Sequence, residues 1–190
     1  MAARTEYTRE QAIAEFRKLA DQFTAIPQKY NREQLLWREH PKKWCMAECA
    51  EHVALTNTAY LRKIKPAISA APGASSTNDS LRIGGWLSAL LLKSVSPEAS
   101  RKLKAPTKMR PLNVDPQEAF KKLAATHDEI LSILSMPPKP DLNRIRFQNP
   151  FVPFIRFTVA SGILIMAAHG RRHLLQAERI PEQSGFSGAR

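Results

Sequence analysis

Cysteine is scarce in this chain: two residues, Cys45 and Cys49, in 190. Two thiols cannot build a disulfide-stapled secreted scaffold. Their four-residue spacing fits reduced, half-buried helix positions better than a bridge, and small core residues are the expected role. Glycine is also rare, at seven residues, and alternating β-branched runs are nearly missing, so the chain reads as mostly helical. No internal repeat or low-complexity tract stands out. Long apolar runs are absent: TVASGILIMAA (158–168) falls far short of the ~20 residues that span a bilayer. The first residues, MAARTEYTREQ, carry no apolar signal-peptide core. The expectation is a soluble cytoplasmic protein with no membrane partner.

Negative charge is in short supply. Against 29 Lys and Arg stand 17 Asp and Glu, a net charge of +12 and a pI near 10.1. That bias favours acidic partners such as nucleic acid, anionic lipid or anionic small molecules, and it equally describes a solvated basic surface. The cations are spread along the chain without interleaved stacking aromatics, which speaks against nucleic acid. With 43% hydrophobic and 24% charged residues, the composition is that of one globular domain, residues 1–190, large enough to bury a core.

Four long helices can be read from caps and periodicity. The first, over 8–25, starts at Thr8 with a Thr8–Gln11 capping box and buries Ile13, Phe16, Leu19, Ala20 and Phe23; Pro27 limits it. QKYNREQLLWREHPKK then reads as an amphipathic connector. The second, over 45–70, carries Cys49, His52, Val53, Thr56, Tyr60 and Ile64 on one stripe, with Pro66 as a kink or stop. The third, over 115–135, is capped by Asp115 with Pro116 at its first position and Glu118 at its third. Its stripe is Phe120, Leu123, Ala124, His127, Ile130, Leu131 and Leu134. The fourth, over 155–180, points Ile165, Met166, His169, His173, Gln176 and Ile180 inward. DLNRIRFQNPFVPF before it reads as loop. Residues 72–114 form a long connection holding one apolar segment, GGWLSALLLKSV, expected as a helix outside the core. Such a connection suits a crossover between parallel helices. The expected fold is all-α: a four-helix bundle with a long crossover between helices 2 and 3, and a frayed tail.

Of five histidines, His40 sits in a polar connector. The other four lie on apolar stripes, where an imidazole needs hydrogen-bond partners or a metal. His169 and His173 are one turn apart and share a face. If helices 2 and 4 run antiparallel, His52 reaches the same height; if parallel, the mismatch is on the order of 10 Å. Three neutral imidazoles with open positions suit Zn, Ni or Fe(II). His127 lies deeper than His52 by roughly 7 Å if helices 2 and 3 are parallel. A pocket-lining role and a satisfied core histidine are both open for it.

WCMAECAEH (44–52) and HGRRHLLQAERI (169–180) resemble the second and last helices of the DinB-like metal-binding four-helix-bundle superfamily. KLKAPTKMRP resembles the basic, proline-containing segment between its middle helices. The resemblance covers nearly the whole chain. It implies metal ligation by His52, His169 and His173, a divalent ion (Zn, Ni or Fe), frequent homodimers, and in several members thiol S-transfer. Gly170 departs from the polar or acidic residue usual there. It costs about 1 kcal/mol against alanine in a helix and leaves room for a neighbouring helix or substrate.

Two functional readings follow. In one, the ion lowers the pKa of a low-molecular-weight thiol or of water. His127 then accepts or relays the proton, and Lys102, Lys104 and Lys108 attract an anionic thiol. In the other, the chain is a non-catalytic metal-binding or interaction module with a basic surface.

Overall fold

The computed structural model describes residues 4–71, 79–99, 104–152 and 154–186. It is mostly helical. In chain order, β1 is Glu6–Thr8, α1 Arg9–Lys29, α2 Arg32–Leu36, α3 Met46–Ser69, β2 Ser80–Arg82 and α4 Trp86–Val95. These are followed by α5 Pro116–Ser135, β3 Arg146–Gln148, β4 Arg156–Thr158 and α6 Val159–Glu178.

The caps act as their residue types require. The Thr8 side chain accepts from the Gln11 amide while the Gln11 side chain accepts from the Thr8 amide, and Asp115 accepts from the Glu118 amide. Each cap satisfies amides that the first helical turn leaves without partners. Pro27 does not stop α1, which continues to Lys29. Placed in the last turn, it forfeits only its own hydrogen bond, and the Tyr30 amide still reaches the Ile26 carbonyl. Pro66 likewise lies inside α3, which runs to Ser69.

Four long helices close a ring of contacts: α3 on α5, α5 on α1, α1 on α6, and α6 on α3. Cross-helix pairs give their directions. Lys122 meets Glu51, Thr126 meets Asn57 and Glu129 meets Lys65, so α3 and α5 run parallel. Arg171 meets Glu15 and Gln22 meets Glu178, so α1 and α6 run parallel. Arg9 near the start of α1 donates to the Leu134 carbonyl near the end of α5, which makes those two antiparallel. Gly162 early in α6 packs against Ile64 late in α3, so these also run antiparallel. The long connection between α3 and α5 therefore joins parallel helices, as its length requires. Helix α4, within that connection, packs on the outer side of α6. Buried on three sides, α6 has lost the amphipathic pattern of a surface helix.

Two short antiparallel ribbons were not anticipated. β1 pairs with β2 through the buried Tyr7↔Leu81 pair, tying the crossover to the start of α1. The expected loop 141–154 instead leads into and turns a hairpin, in which β3 pairs with β4. Phe147 and Phe157 face inward there, and Arg146, Gln148 and Arg156 face solvent. Consequently the last helix begins at Val159 rather than 155, with Thr158 as its cap.

Candidate metal centre

Helix α3 starts where the Glu48 carboxylate accepts from the Cys45 amide at 2.9 Å. Arg38 steadies that carboxylate at 3.2 Å. His52 follows on the second turn of α3. Because α6 returns antiparallel, its last three turns bring His169 and His173 to the same height. One ligand atom from each of the three imidazoles lies within 4.8 Å of the others, and the ring centroids are 4.6–5.0 Å apart. His52 and His173 are buried and His169 is half-buried. Trp44 covers the cluster, its ring 4.6 Å from His52 and 5.6 Å from His173.

The hydrogen bonds behind the rings set their tautomers. His52 Nδ1 donates to the Met109 carbonyl at 2.7 Å. His173 Nδ1 donates to Gln176 Oε1 at 3.1 Å. Thr56 Oγ1 has its one proton committed to the His52 and Val53 carbonyls at 3.0 and 2.9 Å. Its oxygen therefore accepts from His169 Nδ1, 3.3 Å away. With each Nδ1 protonated, Nε2 is the lone pair that each ring can offer. Outer partners of this kind orient metal-ligating histidines.

Electrostatics keep the rings neutral. Burial lowers the pKa of His52, drives that of His169 well down, and pushes that of His173 to about 3. The neighbouring imidazoles and the Arg172 guanidinium add positive potential at His169 and His173. Among the described residues, no carboxylate acts on any of the three rings. Neutral imidazole is the form that binds a metal. A cluster of three such rings without a carboxylate can hold a divalent ion of borderline softness.

A family model described as the DinB superfamily matches residues 8–177. The chain belongs to the DinB superfamily. No curated protein and no solved structure matches it.

The remaining candidates of this DinB-superfamily chain fall outside the cluster. His127 is 1% exposed, and its ring packs against Phe16 and Phe23 of α1 at 6.0 and 6.2 Å. Neither ring nitrogen has a hydrogen-bond partner, and burial pushes its pKa down to about 4. The Asn57–Thr126 bond sets His127 level with residue 58 of α3, about 9 Å beyond His52 along the helix. Cys45 and Cys49 are buried free thiols. Burial raises the Cys45 pKa to about 11 and that of Cys49 well up, so neither is a thiolate at neutral pH. Lys108 is exposed on the turn Thr107–Met109, beside the carbonyl that holds His52. Lys104 is exposed a few residues earlier, and Lys102 lies outside the described residues.

Both arginines of HGRRH point away from the cluster centre. Arg171 donates to Tyr7 and Glu15 at 3.2 and 2.6 Å, and Arg172 donates to the Ser94 and Ser96 carbonyls at the end of α4. Gly170 faces Leu19 of α1, where an added Cβ would sit 3.4 Å from the leucine side chain. Residue patterns placed Thr56 on the His52 stripe but did not mark it or Met109 as a partner of the histidine rings. Thr56 had one signal, its place one turn after His52.

Proposed function

We propose that the four long helices form a DinB-type four-helix bundle whose function is to hold a divalent ion, Zn, Ni or Fe, on His52, His169 and His173. The observation that carries this reading is that one ligand atom from each of three buried or half-buried imidazoles lies within 4.8 Å of the others, while each Nδ1 has an oxygen within hydrogen-bond reach. When bound, such an ion supplies Lewis acidity that favours the deprotonated form of a thiol or water. The reaction class that follows is thiol S-transfer with a low-molecular-weight thiol, or hydrolysis, in a cytoplasmic homodimer. Within the chain, Met109, Thr56 and Gln176 orient the ligands, and Trp44 excludes water from one side. Arg172 adds positive potential that favours an anionic reactant.

The test is elemental analysis of protein purified without an affinity tag, joined to a thiol-dependent activity screen with and without chelator. Stoichiometric metal lost in His169→Ala, together with chelator-sensitive activity, is expected. Metal-free protein whose activity survives His169→Ala overturns the reading.

A second reading, a non-catalytic metal-binding module, rests on the same three rings, which among the described residues form a possible ligand group without a carboxylate. Metal that raises Tm without chelator-sensitive turnover would favour it.

A further inference from the structure

The cations that look dispersed in the sequence converge at the end of the helices remote from the histidines. Lys63 on α3 and Arg144, Arg146 and Arg156 around the hairpin line one groove of roughly 690 Å³, floored by Ala67 and Phe147. Ala67 lies 15 residues beyond His52 on α3, about 22 Å along the axis, so this groove is separate from the metal centre. Arg144 pairs with Asp141 at 3.5 Å. Among the described residues, Lys63, Arg146 and Arg156 have no acidic partner, and no carboxylate lines the groove. The dipole at the C-terminus of α3 amounts to only about half a negative charge, so these cations are not consumed in capping the helix.

A second observation sits beside the first. Phe154, two residues before Arg156 in the hairpin turn, is 96% exposed and holds a left-handed backbone with φ 69°. Bulky side chains rarely adopt that conformation, and a ring left in water gives nothing back for it. A cationic groove with an exposed aromatic ring two residues along the chain from one of its arginines matches the requirements of unpaired nucleic acid: cations track the phosphates and a ring stacks on a base. Unpaired bases are free to stack on such a ring, whereas those of a duplex are already stacked on one another.

We infer that the groove between the end of α3 and the β3–β4 hairpin binds single-stranded nucleic acid, with Lys63, Arg144, Arg146 and Arg156 on the phosphates and Phe154 stacked on a base. The test is fluorescence anisotropy of the full chain with end-labelled dT12 in 50 and 200 mM NaCl. If four phosphates are neutralised, affinity falls about 50-fold over that range. Replacing Arg144, Arg146 and Arg156 together by Ser should reduce the salt slope to that of about one phosphate. F154A should weaken binding roughly fivefold or more. Replacing Arg17, Lys18 and Lys29, exposed cations of α1, by Ser removes the same charge elsewhere and should leave the groove's contribution in place. Circular dichroism checks each fold; should the triple variant unfold, R146S alone should lower the slope by about 0.7. Groove variants that bind dT12 like the wild type, or α1 variants that lose as much, overturn the inference. So does groove-dependent binding to phosphatidylglycerol-containing vesicles without binding to dT12.

Discussion

His127 permits a quantitative test of the core. Its ring sits between Phe16 and Phe23 with neither nitrogen hydrogen-bonded, so burial penalises the imidazolium and the pKa drops from 6.5 to about 4. The unfolded chain then binds more protons than the folded chain between those values. The contribution of this group to stability is intact above pH 6.5. It is lost as pH falls, by about 1.4 kcal/mol per pH unit, until the folded-state pKa near 4 is reached. From pH 7.5 to 5.0 the loss comes to about 2 kcal/mol. Other buried histidines titrate as well, so the measurement is a difference between the wild type and His127→Leu, a substitution of similar volume that removes two unsatisfied nitrogens. Urea unfolding followed by circular dichroism at both pH values should show the variant losing about 2 kcal/mol less than the wild type. With a slope of about 2 kcal/mol per molar urea, the two midpoints should diverge by about 1 M. Parallel pH dependence in the two proteins would refute the placement of His127 in a dry, unpartnered slot.

Other residues give sharper local tests. Thr56→Val removes the acceptor for His169 Nδ1 and should weaken metal binding about 10- to 100-fold, while Thr56→Ser should retain it, as read by competition with a chromophoric chelator. Gly170→Ala should raise stability by up to about 1 kcal/mol, since the added Cβ meets only Leu19 at ordinary contact distance. Gly162→Ala should lower stability by about 1–3 kcal/mol, because its Cβ would lie 2.9 Å from the Phe147 ring; thermal melts of the two variants should move in opposite directions. Cys45 and Cys49 should resist a thiol reagent in the folded protein and should both react in urea, because both are buried and their thiols stay protonated at neutral pH. Rapid reaction of either in the native state would contradict that burial.

What could be read in advance was whatever repeats along one element. The caps at Thr8 and Asp115, the stripes on the long helices and the shared face of His169 and His173 depend on residues three or four apart. The length of the connection between α3 and α5 implied their parallel course, and the antiparallel return of α6 then placed His52 beside the pair. The hairpin escaped because strands of three residues are too short to display a period of two. Pro27 misled because its cost depends on position: in a final turn it forfeits one bond rather than breaking a helix.

The surroundings of each histidine were illegible for a different reason. A stripe says that a side chain faces inward, but not what it meets there. His52, His127 and His173 all lie on such stripes and all are buried, yet their surroundings are opposite. His52 and His173 meet a backbone carbonyl and an amide oxygen that hold them as donors on one side. His127 meets two phenylalanines on α1, more than 100 residues earlier in the chain. For His52, His169 and His127 the deciding partner lies on an element distant in sequence, whereas for His173 it is Gln176 on the same helix. The acceptors behind His52, His169 and His173 come from the crossover turn, α3 and α6 respectively. A change that displaced the turn Thr107–Met109 should therefore disturb the His52 ligand while leaving the α6 pair in place.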